Sequence, residues 1–241
     1  MPGPMTVRYE ANPPKRAAGE AAMERFVRRA ADAADLCDAI HITENVLGYD
    51  RVTPLEAGRA VAAAAPGTRM TATMRTRDKD AATIDGFAAS CAGAGFSGLL
   101  VVNGDPPRDG RPDSGQVPSA VVSRLSGVAS PALYLSAPAS PDYARMGAKV
   151  RARPRGFFTQ VIRDAGQVRA LAENLAGFEV IPTLLYPSEK NRRSAEFLGL
   201  DLDAYGPGFP ALAEEALQMT GDVLVTSPAD YEGVRGFLGT L

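Results

Sequence analysis

A carboxylate at the end of an apolar segment is the feature of this chain that most directly suggests chemistry. The apolar run from Gly98 to Val102 is followed by Asn103, Gly104, Asp105 and two prolines. Such a run is typical of a buried parallel strand, and glycine permits a sharp turn at its end. Because α/β folds bind ligands at the carboxyl ends of their strands, Asp105 is a candidate site residue. The alternative is an ordinary turn, since Asn, Gly, Asp and Pro are all common turn residues.

Polar residues also end the other apolar segments. They are Glu10; Thr43, Glu44 and Asn45; Thr73 and Arg75; Ser136; Gln160; Tyr186 and Ser188; and Thr226 and Ser227. In a barrel of parallel strands, side chains at these positions converge on one mouth. The set holds carboxylates and an amide but neither cysteine nor histidine, apart from His41 inside the second segment. Acid–base chemistry, or polar recognition of a heterocycle, is therefore favoured over thiol or metal chemistry.

Three of these residues have two interpretations each. Partial burial of Glu10 at the mouth would raise its carboxyl pKa, which suits a general acid; the alternative is an ion pair with an arginine such as Arg75. The amide of Gln160 both donates and accepts hydrogen bonds, so it suits a pterin-like edge, or it holds two loops together. For His41 we favour a packed barrel histidine over a ligand contact.

Short apolar segments alternate with longer, alanine-rich amphipathic ones. The predicted strands are 6–10, 39–43, 69–74, 98–103, 132–136, 156–160, 179–185 and 222–226. The predicted helices are 18–34, 54–64, 80–94, 119–128, 142–151, 165–176, 189–198, 210–220 and 228–238. Strict alternation indicates parallel strands with helical crossovers, and eight such units in 241 residues match a barrel. We predict an α/β fold with a single (β/α)8 TIM barrel over residues 1–241, with a doubly wound sheet as the alternative.

The loops contain one further candidate element. The segment 105–117 is rich in proline, glycine and aspartate, and it is a candidate mobile lid. The sequence contains no Walker-type phosphate loop and no glycine-rich dinucleotide fingerprint. The Gly93–Ala94–Gly95 sequence precedes a strand instead of following one, so it is better interpreted as a helix stop.

Composition excludes several classes of function. The net charge of −2 and the absence of a basic patch argue against nucleic acid, and one histidine argues against a histidine metal cluster. Cys37 and Cys91 are far apart, which argues against a disulfide framework and fits a reducing cytoplasm. No apolar run approaches the ~20 residues of a membrane span, and the start lacks the order of a signal peptide. We expect a cytoplasmic protein that binds a small molecule, with a homo-oligomer left open.

Four ordered motifs resemble those of the methylenetetrahydrofolate reductase family. Residues 9–15, Tyr-Glu-Ala-Asn-Pro-Pro-Lys, are similar to the family's amino-terminal Phe-Glu-Phe-Phe-Pro-Pro-Lys/Arg. Residues 103–107, Asn-Gly-Asp-Pro-Pro, resemble its Arg-Gly-Asp-x-Pro, and residues 157–160, Phe-Phe-Thr-Gln, resemble its Ile/Phe-Thr-Gln strand. Residues 181–190 are similar to its Pro-Gly-Ile-x-Pro-(x)-Ser/Asn segment. Each motif alone is weak, and their order along the chain carries the resemblance.

The resemblance implies a barrel that reduces 5,10-methylenetetrahydrofolate to 5-methyltetrahydrofolate with hydride from NAD(P)H, directly or through FAD. Glu10 matches the family's general acid, Asp105 the aspartate that contacts the pterin, and Gln160 a glutamine that contacts the folate. Thr43 is a further candidate for substrate binding. Hydride needs an electrophilic iminium carbon, so proton donation to the bridging nitrogen comes first, and a carboxylate such as Asp105 stabilises the developing positive charge.

Departures from the family affect the cofactor. The positions that match cofactor contacts are Asn103, Gly104, Asp142 and Lys149. The connection before residue 142 is shorter than in flavin-using members, Arg145 and Ala148 occupy two positions of the flavin helix, and asparagine replaces the arginine before Gly104. We therefore expect weak or absent FAD binding.

Two alternatives keep the folate and change the chemistry. The first is a one-carbon enzyme of a catabolic or specialised pathway that oxidises methyl-folate. The second is a non-catalytic folate-binding subunit, which the presence of both Glu10 and Asp105 disfavours, because a binding module has no need of a proton donor.

Overall fold

The chain folds into a closed barrel of eight parallel strands whose spatial order follows the sequence. A computed structural model describes residues 5–128, 131–140 and 143–241, and for residues 143–145 it describes the backbone. The strands are β1 (Thr6–Ala11), β2 (Ala39–Ile42), β3 (Met70–Arg75), β4 (Phe96–Val102), β5 (Ala132–Ala137), β6 (Gly156–Val161), β7 (Glu179–Leu185) and β8 (Asp222–Thr226). The predicted α/β class and (β/α)8 barrel are confirmed, and the doubly wound alternative is wrong because β1 pairs with β8.

Helices follow the strands and cover the barrel. They are α1 (Glu20–Ala34), α2 (Pro54–Ala64), α3 (Ala81–Gly93), α4 (Pro118–Leu125), α5 (Tyr143–Arg151), α6 (Ala165–Asn174), α7 (Arg192–Phe197), α8 (Leu202–Tyr205), α9 (Phe209–Thr220) and α10 (Tyr231–Leu238). The predicted strands differ from these only at their ends. Among the described residues, no helix has the length and apolar character needed to cross a membrane.

The predicted helices differ from the structure where local capping decides the boundary. The first begins at Glu20 because Gly19 adopts a φ of 78° and interrupts the turn before it. The last begins at Tyr231, since the Asp230 side chain accepts a hydrogen bond from the Gly233 amide. Helix α8 was not predicted; the Asp201 side chain caps its first turn, and four residues are too few to show helical periodicity.

Alternating side chains of each strand serve two different environments. In β1, Val7, Tyr9 and Ala11 pack in the large core between the barrel and the helices. Arg8 and Glu10 instead face the barrel interior, where they bond to side chains of the neighbouring strand β8. A small apolar layer fills the middle of the barrel and consists of Leu100, Tyr134, Phe158, Ile181 and Leu224. Polar side chains are thereby confined to the two ends of the barrel interior.

The end of the barrel at the strand amino termini is closed by ion pairs. Arg8 donates from Nε and Nη2 to the two carboxylate oxygens of Asp222, at 2.7 and 2.6 Å. On the same side, Tyr134 donates to Glu179 at 2.7 Å, and Arg155 also pairs with Glu179. Polar groups at this end of a TIM barrel serve stability, and ligand sites lie at the opposite mouth.

Candidate functional site

Glu10 lies at the carboxyl end of β1 and faces the mouth of the barrel. The Thr226 hydroxyl donates to Glu10 Oε1 at 2.7 Å, and Asn12 Nδ2 approaches the same oxygen at 3.5 Å. Burial in the barrel wall raises the pKa of the Glu10 carboxyl, and the two hydrogen bonds oppose this rise only in part. The alternative of an ion pair between Glu10 and Arg75 is wrong, because Arg75 bonds elsewhere. A carboxyl with a raised pKa at a mouth is suited to proton donation.

Thr43 and Asn12 extend the polar network of Glu10 across the mouth. The Thr43 hydroxyl donates to Asn12 Oδ1 at 2.8 Å, so that Asn12 links Thr43 to the Glu10 carboxyl. Sequence reasoning gave no role to Asn12. Its position two residues beyond Glu10 was an available signal, because residues i and i+2 of a strand share a face.

His41 forms an uncharged floor below this network. Its Nδ1 lies 2.8 Å from the Thr71 hydroxyl and its Nε2 lies 2.9 Å from the Thr73 hydroxyl. The ring also packs on Phe158, with 4.9 Å between centroids. Burial lowers the pKa of His41 to about 3, with a smaller contribution from Arg8. The packed histidine predicted from the sequence is confirmed, and the neutral ring is held in place by two threonines.

A second charged cluster ties together the loops beside the mouth. Glu44 accepts the Arg75 amide at 2.6 Å and the Lys79 ammonium at 2.9 Å. The Arg75 guanidinium donates to the carbonyls of Asn45 and Asp105, both at 2.7 Å. Burial raises the pKa of Glu44, and Lys79 opposes the rise. Glu44 and Arg75, expected at the mouth, instead hold the loops after β2, β3 and β4 in one arrangement.

Asp105 lies at the exposed rim, and its carboxylate binds the neighbouring loop. Asp105 Oδ2 accepts the Leu47 amide at 3.0 Å. Leu47 has a φ of 58°, which is rare for a residue with a side chain, and the bond to Asp105 helps to hold that conformation. Gly104 is required before Asp105, because its φ is 84° and a Cβ there would lie 2.8 Å from Arg75 Nε. The role predicted for Asp105 in pterin contact stays a prediction.

Gln160 and Lys149 occupy the far side of the mouth. Gln160 is exposed at the end of β6, and its side-chain amide has no hydrogen bond to any other described residue. Lys149 Nζ donates to the Ser136 carbonyl at 2.5 Å and to its hydroxyl at 3.2 Å, and burial lowers the pKa of this amine. Of the other predicted cofactor contacts, Asn103 gives its carbonyl to the Arg77 amide at 3.2 Å. Asp142 lies outside the described residues.

Two strand-end residues expected at the mouth serve the helical layer. The Tyr186 ring packs on Phe209 and Phe237, with centroid distances of 5.8 and 6.0 Å. Ser227 accepts from the Asn191 amide group at 2.8 Å and donates to the Asp230 carbonyl, also at 2.8 Å. Both lie beyond the last strand residue, where the chain bends outward and the alternation of the strand no longer sets the direction of the side chain.

Among the described residues, no group of three or more histidine, cysteine, aspartate or glutamate side chains is arranged to hold a metal ion. The chemistry available at the mouth is that of one carboxyl with a raised pKa, an amide, several hydroxyls and a partly buried amine. This set can donate a proton and recognise the edge of a polar heterocycle.

Comparison with known proteins identifies the architecture. No family model matches the chain, and no curated protein matches its sequence. Among solved structures, it is similar to an uncharacterized protein from Clostridium thermocellum that binds two copies of 5-methyl-5,6,7,8-tetrahydrofolic acid, with a TM-score of 0.69, 11% identity, and coverage of 99% of this chain and 96% of that one.

Two enzymes are also similar in structure. Dihydropteroate synthase from Xanthomonas albilineans has a TM-score of 0.57 at 15% identity and covers 100% of this chain and 93% of its own. The tryptophan synthase alpha chain from Legionella pneumophila has a TM-score of 0.59 at 12% identity, with 92% and 79% covered. At these identities the similarity establishes the TIM-barrel fold.

Proposed function

We propose that this barrel binds a reduced folate at its mouth and reduces 5,10-methylenetetrahydrofolate to 5-methyltetrahydrofolate with hydride from NAD(P)H. The observation that carries the proposal is the Glu10 carboxyl, which is held at the mouth by Thr226 with a raised pKa. The order of the four sequence motifs supports the choice of reaction. The 5-methyltetrahydrofolic acid bound by the Clostridium thermocellum protein supports the choice of ligand.

In this proposal Glu10 supplies the proton that makes the one-carbon unit reactive. Its carboxylic acid protonates the bridging nitrogen, the bond from that nitrogen to the methylene carbon breaks, and the remaining nitrogen–carbon pair becomes an iminium cation. Hydride from the nicotinamide adds to the iminium carbon and gives the methyl group, and solvent returns a proton to Glu10. The neutral His41 floor adds no positive charge against the developing cation.

Gln160 and Thr43 suit the recognition of the pterin. The exposed Gln160 amide is available to pair with a ring edge that carries both a donor and an acceptor. Thr43, fixed by Asn12, lies next to Glu10 in the same hydrogen-bonded network. A pterin bound between β1, β2 and β6 would bring its bridging nitrogen to the acid.

We further propose that hydride passes directly from NAD(P)H to the folate. Two of the positions that the resemblance assigns to flavin contact are engaged by the protein itself. The Lys149 amine is bonded to Ser136, and Gly104 packs against the Arg75 side chain. No step of the proposed reaction requires FAD.

The test is an anaerobic assay of the purified chain with NADH or NADPH and 5,10-methylenetetrahydrofolate, with and without added FAD. Formation of 5-methyltetrahydrofolate without FAD supports the proposal in full. Activity only with FAD would remove the direct hydride step and retain the reductase. Tight folate binding without oxidation of either nucleotide would contradict the reductase function.

A non-catalytic methylfolate-binding protein is the second candidate. The observation that favours it concerns Asp105. The proposed reaction uses this carboxylate beside Glu10, but in the structure it accepts a hydrogen bond from the Leu47 amide at the rim. The two candidates differ in the reverse reaction, because only an enzyme oxidises 5-methyltetrahydrofolate in the presence of an electron acceptor. That arm of the assay also tests a role in methyl-folate oxidation.

A further inference from the structure

A cavity separate from the mouth lies outside the barrel wall, between β1, helix α1 and the segment that joins β8 to α10. Its volume is about 210 Å³. Tyr9 and Ala11 line it, and both point away from the barrel interior, whereas Glu10 between them faces the mouth. The cavity therefore lies on the other side of strand β1 from Glu10, and Asn12, which approaches Glu10 at 3.5 Å, is one of its lining residues.

Three aromatic rings form walls of this cavity, and they belong to Tyr9, Phe26 and Tyr231. The Tyr9 and Tyr231 rings meet edge to face, with 6.1 Å between centroids. The Tyr231 hydroxyl is buried and has no hydrogen-bond partner in the part of the chain that the structure describes. An apolar cavity of about 150 Å³ already admits benzene, so this one has room for a substituted ring.

The charged side chains that line the cavity are all positive. Arg25 and Arg29 line the cavity one helical turn apart on α1, and no carboxylate is among the lining residues. The Arg29 guanidinium carbon lies 5.3 Å from the centroid of the Tyr231 ring. Within the described residues, neither arginine forms an ion pair with an aspartate or glutamate. Two exposed arginines without an ion pair among the described residues, next to rings that meet edge to face, are suited to an anion attached to an aromatic group, and the carboxylates of Asp32 and Glu232 act on Tyr231 only electrostatically.

We propose that this cavity is a binding site for a small aromatic carboxylate. The ring of the ligand lies among Tyr9, Phe26 and Tyr231, and its carboxylate accepts hydrogen bonds from Arg25 and Arg29. Because the Arg29 guanidinium lies 5.3 Å from the centroid of the Tyr231 ring, a carboxylate attached directly to the ligand ring suits the spacing between the rings and the arginines. The proposal does not rest on the reductase function, because Tyr9 lies on the face of β1 opposite Glu10; Asn12 both lines the cavity and approaches Glu10.

Titration of the full chain with benzoate, followed by calorimetry and by chemical shifts of the backbone amides, tests the site. We expect saturable binding with shifts concentrated in α1 and around Tyr231. Replacement of both arginines by glutamine (R25Q with R29Q) should weaken benzoate by roughly ten- to a hundredfold, since hydrogen bonds to charged groups are lost. The matched control is Arg28→Gln, on the same helix but outside the cavity lining, which should leave the affinity unchanged.

Three comparisons would overturn the proposal. Equal affinity for benzoate and the neutral benzamide would remove the role of the arginines. Stronger binding of hippurate, in which an amide separates the ring from the carboxylate, would exclude a carboxylate attached to the ring. Loss of benzoate binding in Glu10→Gln would assign the binding to the mouth, whereas unchanged affinity in that variant supports a separate site.

Discussion

At the scale of single residues, the environment of Glu10 decides what its carboxyl can do. Glu44 is also buried, yet it is bonded to the Lys79 ammonium and the Arg75 amide, and it is thereby committed to structure. Among the described residues, Glu10 has a hydroxyl and a distant amide as its side-chain partners, and burial raises its pKa without a cation there to reverse the effect. The two glutamates differ in partners, and that difference selects Glu10 as the acid.

Glu10→Gln should lower turnover by roughly two to four powers of ten, the range for removal of an acid–base group. The amide oxygen can still accept from Thr226, so folate affinity should remain close to that of the wild type. Steady-state kinetics and equilibrium binding of 5-methyltetrahydrofolate measure the two effects separately. A variant with normal turnover and lost binding would show that Glu10 positions the folate and donates no proton.

His41 should remain neutral over the whole physiological pH range. Its pKa in the folded protein is about 3, below the ~6.5 of an unfolded chain. The neutral form therefore stabilises the fold fully above about pH 6.5, and this contribution is lost as the pH falls toward 3. The chain has one histidine, so its imidazole C–H signals in an NMR titration report on this residue alone. A titration midpoint near the value of an unfolded histidine would contradict the packed floor.

At the scale of elements, the loops after β2, β3 and β4 form one unit beside the mouth. Arg75 donates to the carbonyls of both flanking loops, and Arg108 donates from its amide to the Gly48 carbonyl. The Thr76 hydroxyl donates to the Gln116 carbonyl, so the end of segment 105–117 is also attached. Asp105 belongs to this unit through Leu47, and its effect on the mouth can therefore be direct or can pass through the loop.

Two substitutions of Asp105 distinguish these routes. Asp105→Ala should weaken folate binding by roughly ten- to a hundredfold, whether a pterin donor or the Leu47 amide loses its charged acceptor. Asp105→Asn keeps an acceptor for the Leu47 amide and removes the charge. Affinity restored in the asparagine variant would assign Asp105 to loop positioning, and affinity still lost would assign its charge to the pterin. Unchanged affinity in both variants would exclude Asp105 from the site.

At the scale of the whole molecule, the barrel is closed where β1 pairs with β8, and a buried ion pair joins these two strands. Arg8 and Asp222 are joined at 2.6 Å, with side-chain exposures of 7% and 13%. Asp222→Asn should cost about 3–5 kcal/mol of unfolding free energy, because it leaves a buried guanidinium without its counter-charge. The control is Arg155→Gln. The ion pair of Arg155 with Glu179 has the same N–O distance of 2.6 Å, but the two side chains are 63% and 38% exposed. Its loss should therefore cost less than about 1 kcal/mol of unfolding free energy. Urea denaturation measures both, and equal costs would show that burial does not govern these pairs.

The purified protein should be colourless. The shortened connection after β5 and the engagement of Lys149 by Ser136 leave few contacts for FAD. The loss of several polar contacts at about 1 kcal/mol each moves a tight cofactor to micromolar affinity or weaker. Absorbance in the flavin band after purification without added FAD, followed by titration with FAD, measures this. A stoichiometric yellow protein would exclude the direct hydride route.

The sequence by itself determined the barrel and the residues that end its strands. Alternation of apolar and amphipathic segments is a local property, and eight repeats of it leave few ways to bury the strands, so the bounds of β7 and β8 could be read directly. The position of Glu10 at the mouth followed from the same pattern, since every parallel strand ends on one face.

Only the tertiary structure decided which strand-end groups remain available. Glu44, Arg75 and Asp105 carry the same charges in the sequence as any site residue, yet each is bonded to a neighbouring loop. Glu10 has two partners, Asn12 and Thr226, which are 214 residues apart in the sequence. They meet at Glu10 because β1 pairs with β8. Hydrogen bonding and burial depend on such distant neighbours, and they fix both the direction of a side chain and the pKa of its carboxyl.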